Sequence, residues 1–292
     1  CDIEMGYIHG ALHKRQFNSL IEMEKLWLKN GYKKLKLLEN NYEIRKHVNT
    51  NQYIGGLLDE GSGHLHPMKY LQGLAQVASE LGVKVFENTK IIKNINEKKN
   101  ILISENGLSI KTKIILLCGN AYIEDISSSS MSSKLAKVTS SVMATTPISK
   151  DVCKELIPNN AAVVDCNTAL NYFRFDNKNR MLFGGRASYT NINPNDVTPG
   201  LIYRMSKVFP KLKNASIEMV WSGFIGITFN RIPHFGKVDD NTYFVQGFSG
   251  HGVALTSLAG KVMAEAIACE TERFEILSKI KHITFPGGPL RT

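Results

Sequence analysis

Thr242-Tyr243-Phe244-Val245-Gln246-Gly247-Phe248-Ser249-Gly250-His251-Gly252-Val253 is the stretch on which the reading of this chain turns. An apolar β-type run, Tyr243 to Gln246, breaks into a segment containing Gly247, Gly250 and Gly252, and a helical pattern from about Val253 to Ile267 follows at once. Glycine lets backbone approach a ligand with no Cβ in the way. The N-terminus of the following helix offers unpaired N–H groups and a partial positive charge, which suits an anionic or electron-accepting group. The same pattern also describes a plain tight turn, and geometry alone leaves both open.

Outward from this stretch, 292 residues fit two domains, and 43% hydrophobic with 21% charged residues describes a globular chain able to bury a core. That composition excludes a disordered tail, a collagen-like rod and a disulfide-dense miniprotein. No run approaches the roughly 18–20 apolar residues of a membrane span. The net charge of +10 comes from dispersed residues, 27 Lys against 9 Arg, and reads as solvated surface because no nucleic-acid motif accompanies it. Five cysteines, Cys1, Cys118, Cys153, Cys166 and Cys269, are far apart, odd in number and without metal spacing. Reduced thiols in a cytoplasmic setting are expected.

Helices are expected over about Leu12–Asn30, Met68–Leu81 and Pro199–Phe209, with a weaker helical pattern before Val48. Short strands are expected at Val83–Phe86, Lys90–Ile92, Ile101–Ile103, Leu108–Ile110, Lys113–Leu117, Val138–Thr145, Ala161–Asp165, Asn171–Phe175, Met181–Phe183 and Ile217–Trp221. Gly61-Ser62-Gly63-His64-Leu65-His66-Pro67 reads as a glycine-rich loop, and Ser127–Ser133 as a serine-rich link. The sum is a mixed α+β chain without regular βαβ alternation.

Several segments resemble one family in the right order over nearly the whole chain. Gly247-Phe248-Ser249-Gly250-His251-Gly252, with Ala259-Gly260-Lys261 behind it, resembles the C-terminal flavin-contacting motif of D-amino-acid-oxidase-like FAD oxidoreductases. Trp221-Ser222-Gly223, Arg231-Ile232-Pro233-His234-Phe235-Gly236 and the Gly61–Pro67 segment resemble further motifs of that family. Phe285-Pro286-Gly287-Gly288 and Asn120-Ala121-Tyr122 are most similar to its gamma-glutamylputrescine oxidoreductase subgroup. The family's opening G-x-G-x-x-G turn, which holds a pyrophosphate, is not found here, so an N-terminally truncated fragment that alone binds FAD weakly is expected.

The resemblance implies a glutathione-reductase-like FAD domain lacking its N-terminal nucleotide-binding βαβ unit, plus a substrate domain built on an antiparallel sheet. The expected division is 1–62 and 128–228 for the substrate domain, 63–127 and 229–292 for the FAD domain. It implies oxidation of an amine or amino-acid C–N bond, and cofactor contacts at Ile91, Gly119, Ile232, Pro233, Gly247, Phe248, Ser249, Gly250, His251, Gly252 and Val253. For Ile91 and Gly119, ordinary strand or turn roles remain equally open, and a Pro such as Pro233 is more often just a rigid turn residue. Non-covalent FAD is expected because Gly223, rather than Cys, precedes Phe224.

Tyr172 and Arg174 alternate on one strand and so share a face, where an Arg fork beside a flavin would suit a carboxylate. A solvated Arg is the competing reading. Trp221 completes the substrate-side candidates, with packing as its alternative, and Arg186 is a second anion candidate. His251 could contact flavin or cap its helix. His64 and His66 lack a third ligand and read as loop structure or flavin contact, with no metal site. No strong acid–base pair stands out, which suits hydride transfer from a neutral amine. The expected partner is a small-molecule amine or amino acid, and the sequence leaves oligomeric state open. A dehydrogenase that uses an electron carrier, and a non-catalytic binding fragment, are the other classes that fit.

Overall fold

The computed structural model describes residues 1–95, 101–123, 126, 128–188 and 193–286; the side chains of Ile95, Ser129, Arg186 and Ala187 also lie outside the description. The chain divides into two compact units, one of Cys1–Glu80 with Ser140–Gly223 and one of Leu81–Thr139 with Phe224–Thr292. The sequence boundaries near 62, 127 and 228 compare with contact boundaries at 80, 139 and 223.

The first unit is organised on an eight-stranded sheet. In chain order its strands are β1 (Glu4–Ala11), β2 (Leu35–Leu38), β3 (Gly55–His64), β8 (Ala136–Thr145), β9 (Ala162–Asp165), β10 (Asn171–Phe175), β11 (Met181–Ser188) and β12 (Ile217–Ile227). They lie in the order β12-β8-β11-β10-β9-β1-β3-β2. Helices α1 (Lys14–Lys29), α2 (Asn41–Arg45), α3 (Pro67–Glu80), α5 (Lys150–Leu156) and α6 (Pro194–Val208) complete it. Strand β10 shows why the sheet forms. Phe173 and Phe175 point to a core that also takes Ile8, Met181, Phe183 and Phe209, while Tyr172 and Arg174 take the other face. Phe173 stacks on Phe183 at 5.5 Å between ring centroids and meets Phe209 edge-on.

The second unit holds two three-stranded sheets and the last two helices. One sheet orders as β4 (Ile91–Ile95), β5 (Ile101–Ser104) and β6 (Ser109–Lys111). The other orders as β13 (His234–Asp239), β14 (Thr242–Gln246) and β7 (Ile115–Leu117). Helices α7 (Gly252–Ile267) and α8 (Glu272–Ser278) pack on β13 and β14 through Phe235, Tyr243, Val245, Met263 and Phe274. No helix among the described residues is long and apolar enough to cross a membrane.

Five expectations need correction. Val83–Phe86 is not a strand: Val83, Val85 and Phe86 are all exposed, and the segment joins no sheet among the described residues. Gly61–His64 is not a loop, because β3 continues through it against β1, with Met5 opposite Gly63 and Glu4 opposite His64. In the serine-rich stretch, Ser129–Ser132 form helix α4, anchored by buried Met131 against Ile115, Leu117 and Phe244; Ser127 lies outside the described residues. Helix α6 begins at Pro194, not Pro199, because the Asn193 side chain caps it by accepting the Asn195 N–H, and Val197 already belongs to its buried stripe. The helix over about Val253–Ile267, which the sequence offers as the last element, is followed by α8 among the described residues, and His234–Asp239 is a further strand because it pairs with β14.

Phe183 is fully buried in the aromatic cluster. Replacing it with Ala is expected to cost about 3–5 kcal/mol of unfolding free energy, checked by urea denaturation followed through unit-specific fluorescence; a loss below about 1 kcal/mol would show that this cluster does not hold the unit together.

Candidate functional site

The second unit's site grows from one pairing. Strand β7 lies parallel to β14, with Ile115 opposite Thr242 and Leu117 opposite Phe244. Both strands therefore end on the same side, where ligands of α/β sheets bind. The segment after β7 is Gly119 and a 3₁₀ turn over Asn120–Tyr122; the segment after β14 is Gly247–His251, leading into α7. The Asn120 Oδ1 accepts the Gly247 N–H at 2.8 Å.

The Gly247–Gly252 loop is a built structure. Gly247 has φ +77° and Gly250 φ +94°, in the left-handed region that glycine adopts without strain. A Cβ on Gly247 would sit 2.3 Å from the Thr228 methyl, whereas the position of a Cβ on Gly250 is open space. Ser249 donates its N–H to the Gly226 carbonyl at 2.9 Å, and Phe248 bridges to Ile227 at the end of β12. Behind the loop, His251 is the N-cap residue of α7 and its side chain makes no capping hydrogen bond. The first amides of α7 thus carry the donor capacity and partial positive charge of a helix N-terminus with no side chain spent on them. The capping role open to His251 in the sequence is not taken up.

Ile232 and Pro233 precede β13, whose His234 pairs with Gln246, so they join the same end of the sheet. Gly119, Ile232, Pro233 and Gly247 to Val253 are therefore brought together. Ile91 stands on a different sheet, paired with Ser104. The arrangement fits FAD on its chemistry: open space at Gly250, glycines in the left-handed region and an uncapped helix start are suited to an electron-rich ring edge.

In the first unit, Tyr172 and Arg174 do share the face opposite the aromatic core. The Tyr172 hydroxyl is 2.8 Å from the Ser140 hydroxyl, and its ring lies where a Cβ on Gly184 would be. Burial pushes the Tyr172 pKa up, so the phenol stays protonated at neutral pH. The Arg174 Nη2 donates to the Leu65 carbonyl at 3.1 Å and Nη1 to the Phe175 carbonyl at 3.4 Å, so part of its fork is already engaged. Trp221 is 42% exposed on β12, while its neighbour Val220 packs toward the core. The side chain of Arg186 lies outside the described residues.

His64 Nε2 is 2.7 Å from the Asn160 carbonyl, and His66 Nδ1 accepts the Lys69 N–H at 3.4 Å near the start of α3. With Asp2 and Glu4 they border a cleft with about 30 Å³ of room, the scale of one water. Among the described residues, no three His, Cys, Asp or Glu side chains are placed to hold a metal ion.

Sequence reasoning missed Asn120 as a side-chain acceptor, Thr228, and the polar group under β14. There the Gln246 Nε2 donates to the Met131 carbonyl at 2.8 Å and faces His234 Nδ1 at 3.3 Å. His282 lies over His234 with 4.4 Å between ring centroids. No spacing rule links these positions; only strand pairing does.

The comparisons with known proteins come to the same place. The family model described as "DAO: FAD dependent oxidoreductase" matches residues 1–266. The chain belongs to this family of FAD-dependent oxidoreductases. It is an enzyme family, and FAD is the cofactor. The chain is 37% identical over 292 residues to "Probable oxidoreductase OrdL" of Haemophilus influenzae, covering 99% of this chain and 67% of that protein. It is 34% identical over 288 residues to "Gamma-glutamylputrescine oxidoreductase" of Escherichia coli, again covering 99% and 67%. The chain thus spans about two thirds of the length of these relatives. Among solved structures, glycine oxidase from Geobacillus kaustophilus matches with a TM-score of 0.81 at 18% identity, over 96% of this chain and 75% of that one. L-proline dehydrogenase from P. horikoshii matches at 0.78 and 19%, over 94% and 74%. These likenesses bear on fold, and they agree with the mixed α+β architecture.

Burial, the neighbouring His282 and the charge of Lys134 lower the His234 pKa from 6.5 to about 4. The unfolded chain takes up this proton near pH 6.5 and the folded chain only near 4, so stability present above pH 6.5 is lost as pH falls through that window. Chemical denaturation at stepped pH is expected to show a shallower decline for His234→Gln, by up to one proton. Identical slopes for the two proteins would contradict this.

Proposed function

We propose that this oxidoreductase oxidises the C–N bond of an amine or amino acid, with a gamma-glutamylputrescine-like amine as its substrate. The observation that carries the reading is the Gly247–Gly252 loop and uncapped α7 N-terminus, gathered with Gly119 and Ile232–Pro233 at one sheet end. The 34% identity to the Escherichia coli gamma-glutamylputrescine oxidoreductase supports the substrate class.

The chemistry supplied by FAD is acceptance of a hydride from the carbon next to nitrogen, leaving an imine that water hydrolyses to an aldehyde or keto acid. In this reading the loop amides and the start of α7 stabilise negative charge on the ring edge. The backbone of Gly119 would help to hold the diphosphate and that of Ile91 the adenine side. Tyr172, Arg174 and Trp221 bind and orient substrate, with the protonated Tyr172 phenol donating or accepting through its Ser140 partner. The free edge of the Arg174 guanidinium meets a substrate carboxylate. FAD is held non-covalently, since Gly223 occupies the position before Phe224.

Anaerobic titration of the flavin-loaded protein with a panel of amines and amino acids tests the reaction. Bleaching of the flavin band by gamma-glutamylputrescine and its analogues is expected; a flavin left oxidised by the whole panel would defeat the reading. Peroxide release against dye reduction then separates oxygen from a carrier as acceptor. Acid denaturation is expected to release the flavin into solution, and a yellow precipitate that retains it would rule out non-covalent binding.

Gly250→Val places a β-branched residue at φ +94°. Flavin content is expected to fall, or reduction by amine to slow by at least about tenfold, equivalent to about 1.4 kcal/mol of barrier. Folding should survive, because beyond its two chain neighbours nothing lies within 4 Å of the added Cβ. Wild-type flavin content together with wild-type reduction kinetics would make the loop a simple turn.

A further inference from the structure

We infer that Thr228 and Asn120 are positioning residues that set the Gly247–Gly252 loop and the Ile232–Pro233 turn against the flavin. The inference rests on the reading of that loop as a flavin contact. It adds Thr228, which lies in none of the quoted motifs, and gives a role to the side chain of Asn120.

Thr228 is fully buried just beyond β12. Its hydroxyl donates to the Ile232 carbonyl at 2.7 Å and lies 3.5 Å from the Ser249 hydroxyl. Its backbone N–H donates to the Ser249 Oγ at 3.3 Å, and the Ser249 hydroxyl in turn donates to the Gly247 carbonyl at 3.1 Å. The Thr228 methyl occupies the space where Gly247 has no Cβ. One side chain therefore touches both segments assigned to the cofactor, through its hydroxyl on one side and its methyl on the other. Asn120 works from β7: its Oδ1 holds the Gly247 N–H and sits in the gap left by Gly226, where a Cβ would be 2.4 Å away. These side-chain hydrogen bonds are directed at the loop and at the Ile232–Pro233 turn. A loop held from two strand ends keeps its amides aimed before the cofactor arrives, which is what electrostatic stabilisation of a charged ring edge requires.

The hydroxyl and the methyl of Thr228 can be tested separately. Thr228→Val keeps the shape and removes the hydroxyl, leaving the Ile232 carbonyl without its donor; Thr228→Ser keeps the hydroxyl. Asn120→Gly removes the amide and still permits the positive φ of +49° found there. The readouts are the FAD dissociation constant by fluorescence, the flavin midpoint potential, and the thermal midpoint as a measure of folding. Thr228→Val and Asn120→Gly are each expected to weaken FAD binding at least tenfold and to lower the midpoint potential. Thr228→Ser is expected to stay within threefold of wild type. If Thr228→Val does not fold, Asn120→Gly and Thr228→Ser carry the test.

Wild-type affinity and potential in Thr228→Val and Asn120→Gly would overturn the inference, as would Thr228→Ser failing as badly as Thr228→Val. Gly250→Val separates this from the reading beneath it. Flavin loss in Gly250→Val alone defeats the positioning role and leaves the loop assignment standing; no effect in any of the variants defeats the loop assignment itself.

Discussion

The parallel pairing of β7 with β14 is the constraint on which the second unit depends. Parallel neighbours end on the same side, so the residues that follow them converge although they are 127 positions apart in sequence, as Asn120 and Gly247 are. That convergence supplies a backbone donor with an acceptor in a place where helix and sheet offer none. It also explains why the loop tolerates left-handed residues in close succession. Gly247, Ser249 and Gly250 all have positive φ, and the first two are fixed by partners: Asn120 at Gly247, and Gly226 and Thr228 at Ser249.

Burial beneath the same strand has an electrostatic consequence. His234 sits against Phe244 and His282, and the amide of Gln246 faces its Nδ1. The Gln246 Nε2 donates toward that nitrogen, so the imidazole is neutral with its proton on Nε2. A second proton would set two donors against each other in a poorly solvated place and beside the Lys134 charge, which is why the pKa falls. The polar group is arranged around an uncharged ring, and it secures Met131 of α4 to the base of the sheet.

The first unit follows a simpler rule, alternation. One face of β10 carries Phe173 and Phe175, the other Tyr172 and Arg174, and β8, on the far side of β11, repeats the division: Met143 faces the core while Ser140 meets Tyr172. A sheet packed on one side by aromatics leaves the other side free for polar chemistry without loss of core. Tyr172 lies flat enough to occupy that face because Gly184, directly opposite on β11, has no side chain. Shape on the polar face is thus set by a small residue on the adjoining strand.

Local pattern determined much of this in advance. Helices α1, α3 and α7, the alternation of β10 and the strand–glycine loop–helix order at Thr242–Val253 all depend on residues near one another in sequence, and the family likeness rests on those motifs. Where pairing partners decide, local pattern misleads. Val83–Phe86 has strand composition and no sheet to join among the described residues; Gly61–His64 has loop composition and becomes a strand because β1 pairs with it. Asn193 and Pro194 start α6 before its apolar stripe is obvious. Thr228 and Asn120 were beyond reach for the same reason. A threonine after a strand and an asparagine in a turn are common, and only the convergence of β7, β14 and residues 226–228 within the second unit turns them into the two supports of one loop, because a hydrogen bond depends on distance in space and not along the chain.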